Sequence, residues 1–405
     1  MLPRFLRSTY FFKIQSQKFS PRAIHKLRKF LSTRPAHVLV VRPDRLGDVI
    51  LSTPVLEVIK KRYPRAKLTF LVRETVAPVL RGLSSVNEVM VYDPDGRHRG
   101  FKGFWNLVAD LKKNRFQFAI TLQSHWRIAA ATYFAGITYR IGPVSKVHSY
   151  LFYNLGIRQR RSQVEMHEAD YNLELLKKIG IHVSTRTVPT QVHLSNEQVS
   201  LAKEWLENRG WRVDGGSTIV IHPGMGGSAL NWPETHYCEL ARGLVQEGFQ
   251  VVVTGGPTER ALLDQVEKSI SPFLGDAPGR LIFFRNTDGH TVDFLAGIYS
   301  CARLVVAPST GPLHLAVALH IPVVTFFPPI RVQSVIRWGP YLADDSRASI
   351  LVPEVYCGQD FKCLGTPCHY YPCMKSLTVK QAMEQVSLQL RQNAPHPSRD
   401  RISSD

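Results

Sequence analysis

Two stretches of this 405-residue chain gather side chains that could do chemistry. The first is the octet Ser309-Thr310-Gly311-Pro312-Leu313-His314-Leu315-Ala316. The apolar run Leu304-Val305-Val306-Ala307 before it predicts a buried parallel strand, and the helix formers after it predict a helix. Pro312 suits a first helical turn, and Ser309 or Thr310 suits the N-cap. A strand–turn–helix of this kind points unpaired N–H groups and the positive end of the helix dipole outward, which suits a phosphate. Gly311 permits close backbone approach, and His314 lies in the first turn beside whatever binds. An ordinary βα turn has the same pattern, so the octet by itself leaves both readings open. The second stretch, Arg42-Pro43-Asp44-Arg45-Leu46-Gly47-Asp48, crowds Arg42, Arg45 and Asp48 into one turn. An acid at a helix start is favoured there by about 0.3–1 kcal/mol whether or not it has another task.

The elements needed to position these turns are legible in the hydrophobic pattern. Strands are predicted at Val38–Val41, Leu68–Val72, Val89–Tyr92 and Phe118–Leu122, with helices between several of them, including residues 104–113. Residues 167–179 read as a helix closed by Gly180. A polar segment, roughly 185–216 with a helix at 196–208, reads as a junction. The pattern then restarts with strands at 218–221, 251–253, 281–284, 304–306 and 323–326, and residues 376–391 read as a closing helix. Alternation at this spacing predicts α/β architecture with a parallel sheet in each half. The expected organisation is a basic leader (1–35), an N-terminal acceptor-binding domain (36–195), a C-terminal nucleotide-sugar-binding domain (196–380) and a tail (381–405).

The octet resembles the signature of glycosyltransferase family 9, the ADP-heptose:lipopolysaccharide heptosyltransferases. The turn from Arg42 to Pro54, in which Gly47-Asp48 is followed by Thr53-Pro54, resembles the family's second signature. Leu122-Gln123-Ser124 with Arg127, and His167-Glu168 with Asn172-Leu173 and Ile179-Gly180, are further similarities, so the resemblance spans residues 37 to about 380. It implies the GT-B fold, two Rossmann-like parallel-sheet domains facing across a cleft, with ligands at the strand carboxyl ends. It also implies Asp48 as general base, taking the proton of a sugar hydroxyl while the anomeric carbon is inverted in one step. Arg42, Arg45, Gln123 and Arg127 then fall to an anionic acceptor.

In the second half the resemblance places the donor diphosphate over Ser309, Thr310 and Gly311, with His314 stabilising the leaving ADP. His222-Pro223-Gly224-Met225-Gly226-Gly227-Ser228 supplies another wall, with backbone N–H groups available to phosphate. Thr254 and Gly255 follow a strand, and Glu259 is expected to hold the ribose hydroxyls; an exposed acid at a helix start is the equal alternative. Two positions depart from the family pattern. Ser309 stands where many members carry Asp, and Leu230 stands where Lys-x-Trp-Pro supplies a cation for the donor phosphate. Arg331 or Arg337 is expected to replace that cation, unless the donor differs.

Composition bounds the rest. With 44% hydrophobic and 20% charged residues the chain is globular, and no run of 18 apolar residues exists to span a membrane. A net charge of +19 is concentrated at the start, since residues 1–35 hold nine Lys and Arg and no acid. Ile24, Leu27 and Leu31 at helical spacing make this leader a candidate to lie on an anionic bilayer, each basic residue adding up to ~1 kcal/mol. A solvated leader and a nucleic-acid arm are the competitors, and no nucleic-acid module follows. No secretory signal is evident, so a cytoplasmic enzyme peripheral to the inner membrane is expected. Asp93-Pro94-Asp95 reads as a turn rather than a metal motif. Cys357, Cys363, Cys368 and Cys373 lack the paired spacing of zinc sites; structural thiols and a small metal clip both stay open. Cys238 and Cys301 read as core. No cofactor and no metal are expected.

The expected activity is inverting transfer of heptose from ADP-heptose to the Kdo-lipid A inner core. Its partners are therefore an ADP-sugar donor, an anionic glycolipid acceptor and the membrane surface, with no nucleic acid. A family 9 transferase using another nucleotide-sugar, or building another surface glycan, is the alternative; a non-catalytic nucleotide- or lipid-binding protein is a third.

Overall fold

The computed structural model describes residues 21–212, 218–227, 229–273, 280–285 and 290–393. Expectations placed on residues 1–20, on Ser228 and on the tail from residue 394 lie outside these. The chain divides into two compact units between His193 and Leu194.

The first unit carries a six-stranded sheet: β1 (His37–Val41), β2 (Lys67–Val72), β3 (Glu88–Val91), β4 (Phe118–Thr121), β5 (Tyr139–Pro143) and β6 (Leu155–Ile157). Its order is β3-β2-β1-β4-β5-β6, with every pairing parallel. Its helices are α1 (Pro21–Thr33), α2 (Leu46–Ile50), α3 (Thr53–Arg62), α4 (Gly100–Lys113), α5 (Trp126–Phe134), α6 (Val147–Phe152) and α7 (Glu168–Glu174). β1 is central, and Val38, Leu39, Val40 and Val41 are all buried, as a strand covered on both faces requires. A 3₁₀ turn (Leu175–Ile179) continues α7, and Gly180 at φ +77° ends it in the left-handed region that glycine enters without strain.

The leader is corrected in part. Helix α1 belongs to the first unit: Leu31 is buried, the Phe30 ring lies 6.3 Å from that of Phe118, and Arg28 lies against Gly180. Leu31, the last residue of the apolar stripe assigned to lipid, is therefore spent on protein.

The second unit repeats the plan. After α8 (Asn196–Glu207) come β7 (Thr218–Ile221), α9 (Glu234–Gln246), β8 (Gln250–Gly255), α10 (Arg260–Ile270), β9 (Leu281–Arg285), α11 (Val292–Ser300), β10 (Leu304–Pro308), α12 (Gly311–Ala318), β11 (Val323–Phe326), α13 (Val335–Trp338), β12 (Ala348–Leu351) and α14 (Val379–Gln392). The sheet runs β9-β8-β7-β10-β11-β12, the same doubly wound order as the first. Capping boxes at Ser195 with Gln198 and at Thr378 with Gln381 start α8 and α14. The core of this half is keyed by Trp232, stacked on Phe326 at 4.1 Å, with its Nε1 donating to the Leu377 carbonyl at 2.7 Å.

Three strands, β5, β6 and β12, were not expected from the sequence. They lie at or next to sheet edges, and Tyr139-Arg140-Ile141-Gly142-Pro143 mixes polar residues, glycine and proline that blur a strand pattern.

Candidate active site

In each sheet the strand order reverses direction once, between β1 and β4 and between β7 and β10. Ligands of open α/β sheets bind beyond the strand carboxyl ends at such points. The turn after β1 carries Arg42 to Asp48; the turns after β7 and β10 carry His222 to Gly227 and Ser309 to Gly311.

The first turn is held by a buried ionic network. Arg42 is only 2% exposed, and its guanidinium contacts Asp48, Glu168 at 3.1 Å, Asn172 at 3.4 Å and Asp44 at 3.5 Å. Burial alone would lower the Arg42 pKa, but the surrounding Asp48, Glu168 and Asp44 carboxylates raise it, so the cation is secure. Arg161 meets the same Glu168 oxygen, Oε1, and donates to the Leu122 carbonyl at 2.9 Å. Asn172 donates to Ser52 Oγ at 3.1 Å and to the Leu51 carbonyl at 3.3 Å, and Ser52 Oγ donates to the Asp48 carbonyl at 2.8 Å. Glu168 and Asn172 stand four apart on α7, one face of one helix.

Asp48 sits in α2 with 17% of its side chain exposed. Burial pushes its pKa above the ordinary aspartate value; Arg42 opposes this, while Asp44 and Glu168 add to it. A carboxylate fixed by one arginine, with a raised pKa and a face left to solvent, suits a general base.

Of the residues expected to meet an acceptor, Arg42 is buried, with its guanidinium engaged by Asp48, Glu168, Asn172 and Asp44. Arg45 is exposed at the start of α2, and Gln123 is half-buried two residues past β4. Arg127 Nη2 donates to the His98 carbonyl at 2.6 Å and also to that of Gly100, while its guanidinium lies 5.5 Å over the Phe104 ring.

The second half builds its turns from nearly neutral groups. His222 is buried; its Nδ1 lies 3.0 Å from Thr254 Oγ1, which lies 3.4 Å from the Tyr299 hydroxyl. His222 Nε2 lies 3.5 Å from Glu259 Oε2, and that oxygen accepts from the Gly256 N–H at 2.8 Å. Burial lowers the His222 pKa, with Glu259 opposing, so the imidazole stays neutral. A Cβ at Gly224 would fall 2.0 Å from Glu259 Oε1, and one at Gly255 would fall 2.2 Å from Leu263 Cδ1. Gly226 and Gly227 instead serve through their positive φ of 54° and 70°, with open space where a side chain would stand. Ser309 and His314 are buried, Thr310 is the N-cap of α12, and no side chain caps that helix end. Its amino end is thus presented with Gly311 and Pro312 rather than closed as in α8 and α14.

Leu230, in the place of the expected cation, packs against the core and lines a small cavity with Cys357, Cys363, Cys368 and Cys373, all free thiols. Arg331 pairs with Asp360 at 3.5 Å, and Arg337 lies 4.7 Å over the Trp338 ring. Among the described residues no group of three His, Cys, Asp or Glu is placed to hold a metal ion. Residues that sequence reasoning left without a role are Arg161, Glu168, Asn172 and Tyr299. The signal for Glu168 and Asn172 was their four-residue spacing, which puts both on one face of a helix.

Two doubly wound sheets, each with polar groups gathered at its switch point, form the GT-B architecture of nucleotide-sugar glycosyltransferases. The chain belongs to glycosyltransferase family 9, the heptosyltransferase family, whose profile matches residues 104–364. A Haemophilus influenzae protein described no further than as a glycosyltransferase is 30% identical over 321 residues, 78% of this chain and 89% of its own. Lipopolysaccharide heptosyltransferase 2 of Escherichia coli is 25% identical over 295 residues, 72% of this chain and 82% of its own. Among solved structures, a family 9 glycosyl transferase from Veillonella parvula superposes with a TM-score of 0.75 at 20% identity, covering 88% of this chain and 98% of that one. The E. coli heptosyltransferase WaaC, solved with ADP-2-deoxy-2-fluoro heptose, gives a TM-score of 0.59 at 18% identity, covering 86% and 99%.

Proposed function

We propose that this glycosyltransferase moves a heptose from ADP-heptose onto the inner core of lipopolysaccharide, with Asp48 as general base and inversion at the anomeric carbon. The observation that carries this reading is the Asp48 carboxylate, oriented by the buried Arg42 and with a pKa raised by burial. The acceptor hydroxyl oxygen bonds to the anomeric carbon as the bond from that carbon to the ADP phosphate oxygen breaks. The hydroxyl proton passes to Asp48 and the charge leaves on ADP. The relative solved with an ADP-heptose analogue and the relatives named lipopolysaccharide heptosyltransferases support the donor and acceptor classes.

The donor diphosphate is assigned to the amino end of α12 and the glycine turn after β7, where N–H groups and the helix dipole favour an anion. His314 stands in the first turn of α12 to stabilise leaving ADP, and Glu259 is assigned the ribose hydroxyls. With these groups carrying the negative charge, transfer is expected to continue in the presence of a chelator. Arg45 and Gln123 are assigned to the acceptor, and the basic leader to the inner-membrane surface on its cytoplasmic side.

The test is transfer from ADP-heptose to purified Kdo-lipid A, read by mass spectrometry for the wild type and Asp48→Asn. A heptose mass gained by the wild type and lost in the variant is the expected result. ADP binding without transfer would reject heptose or this acceptor, and no binding of adenine nucleotide would reject the donor class. Leu230 in place of the usual lysine favours a second reading, another nucleotide-sugar, so UDP and GDP belong in the same binding series.

A further inference from the structure

The burial of Leu31 removes part of the leader from any contact with lipid, while another surface of the first unit exposes large apolar side chains. Phe101 and Trp105, one turn apart on α4, are 79% and 45% exposed, and Phe134 near the end of α5 is 51% exposed. Their rings form one cluster: Trp105 lies 5.6 Å from Phe134, 6.3 Å from Phe101 and 5.2 Å from Phe104. A contiguous exposed patch of this kind marks an interaction site. Arg127 of α5 ties down the start of α4 through the carbonyls of His98 and Gly100.

Its charge is as one-sided as its shape. On α4 and its N-cap, Arg99, Lys102, Lys112 and Lys113 are exposed, and the helix carries a single acid, Asp110. Asp110 is itself paired with Arg97 at 2.7 Å. Lys102 follows Phe101 directly, and Lys112 stands two turns beyond Trp105 along α4. Aromatic rings settle at headgroup depth and cations pair with lipid phosphates, so this combination matches a bilayer surface. Nucleic acid would engage the cations but gives a convex cluster of rings on a helix pair no groove in which to stack bases. The helices α4 and α5 start beyond the carboxyl ends of β3 and β4, the same sheet edge from which Asp48 projects.

We propose that this face of α4 and α5 is a rigid docking surface for an anionic phospholipid bilayer, an inference that rests on the reading above of an amphiphilic acceptor. The experiment is flotation of the full-length protein with phosphatidylcholine vesicles, with and without phosphatidylglycerol. The variants are Phe101→Ser with Trp105→Ser, and separately Lys102→Glu with Lys112→Glu. Each pair should weaken partitioning onto the phosphatidylglycerol vesicles about tenfold or more, with unfolding temperature and transfer to a deacylated, soluble acceptor unchanged. Flotation equal to the wild type in both pairs overturns the proposal. So does a loss of self-association or of DNA binding in these variants with flotation intact. A wild type that floats in this pattern yet transfers no heptose would reject the heptose-transfer reading and leave the lipid contact standing.

Discussion

The two halves share one strand order and put opposite chemistry at its switch point. In the first, Arg42, Arg161, Asp48 and Glu168 form a buried array of full charges, while in the second His222, Thr254 and Tyr299 form a neutral relay against a single carboxylate, Glu259. The difference teaches what each end is built to do. A proton acceptor must hold charge in a fixed direction, which takes a paired arginine. A diphosphate site must turn N–H groups toward an anion, which takes glycine turns and an uncapped helix start.

The comparison breaks most directly at Asp48. Asp48→Asn should lower kcat by about 10²–10⁴-fold, the usual worth of a general base, while ADP affinity stays unchanged. Equal losses in both quantities would mean that the first half holds donor as well as acceptor. Arg42→Met should cost about 3–5 kcal/mol in the stability of the first unit, since it strands buried carboxylates, read as a lower unfolding midpoint. It should also raise the Asp48 pKa further, moving the acid limb of kcat/KM to higher pH, because the base works only when deprotonated.

In the neutral half the expected effects are smaller. Gly224→Ala drives a methyl group into Glu259 and should raise the donor KM about tenfold, a change of about 1.4 kcal/mol, with kcat nearly constant. The neutral His222 should tie stability to pH. Below about 6.5, the value of an unfolded histidine, the unfolded chain binds more protons than the folded one, so stability falls on acidification until the lowered folded pKa is reached. The slope is at most about 1.4 kcal/mol per pH unit for one group. Urea unfolding at stepped pH should show it reduced in His222→Asn, with His37, His125 and His148, also lowered by burial, contributing to the remainder.

The central strands were legible because a strand buried on both faces is a short, valine-rich apolar run such as Val38-Leu39-Val40-Val41, too short for a typical helix. Edge strands such as β6 and β12 were not, since half-covered segments of three or four residues carry too little pattern. The turns were legible through their glycines and Asp48. Whether Arg42 pointed inward or outward was not, because arginine at a surface and arginine in a carboxylate cage are spelled alike. Only the position of Glu168, 126 residues further along, decides it. Arg127 was hidden for the same reason: its partners are the backbone carbonyls of His98 and Gly100, which have no identity in a sequence.

That separation has a consequence in time. Helix α2 has five residues, far below the length that holds itself together in water. Its frame comes from α7, through Glu168 to Arg42 and through Asn172 to Leu51, a span of 121 residues in the second case. The entropy of closing so long a stretch must be met before the contacts reward it. The carboxylate of Asp48 is thus synthesised early and aimed late: during translation the turn around it is completed only after the chain has been made through Asn172 and α7 has docked.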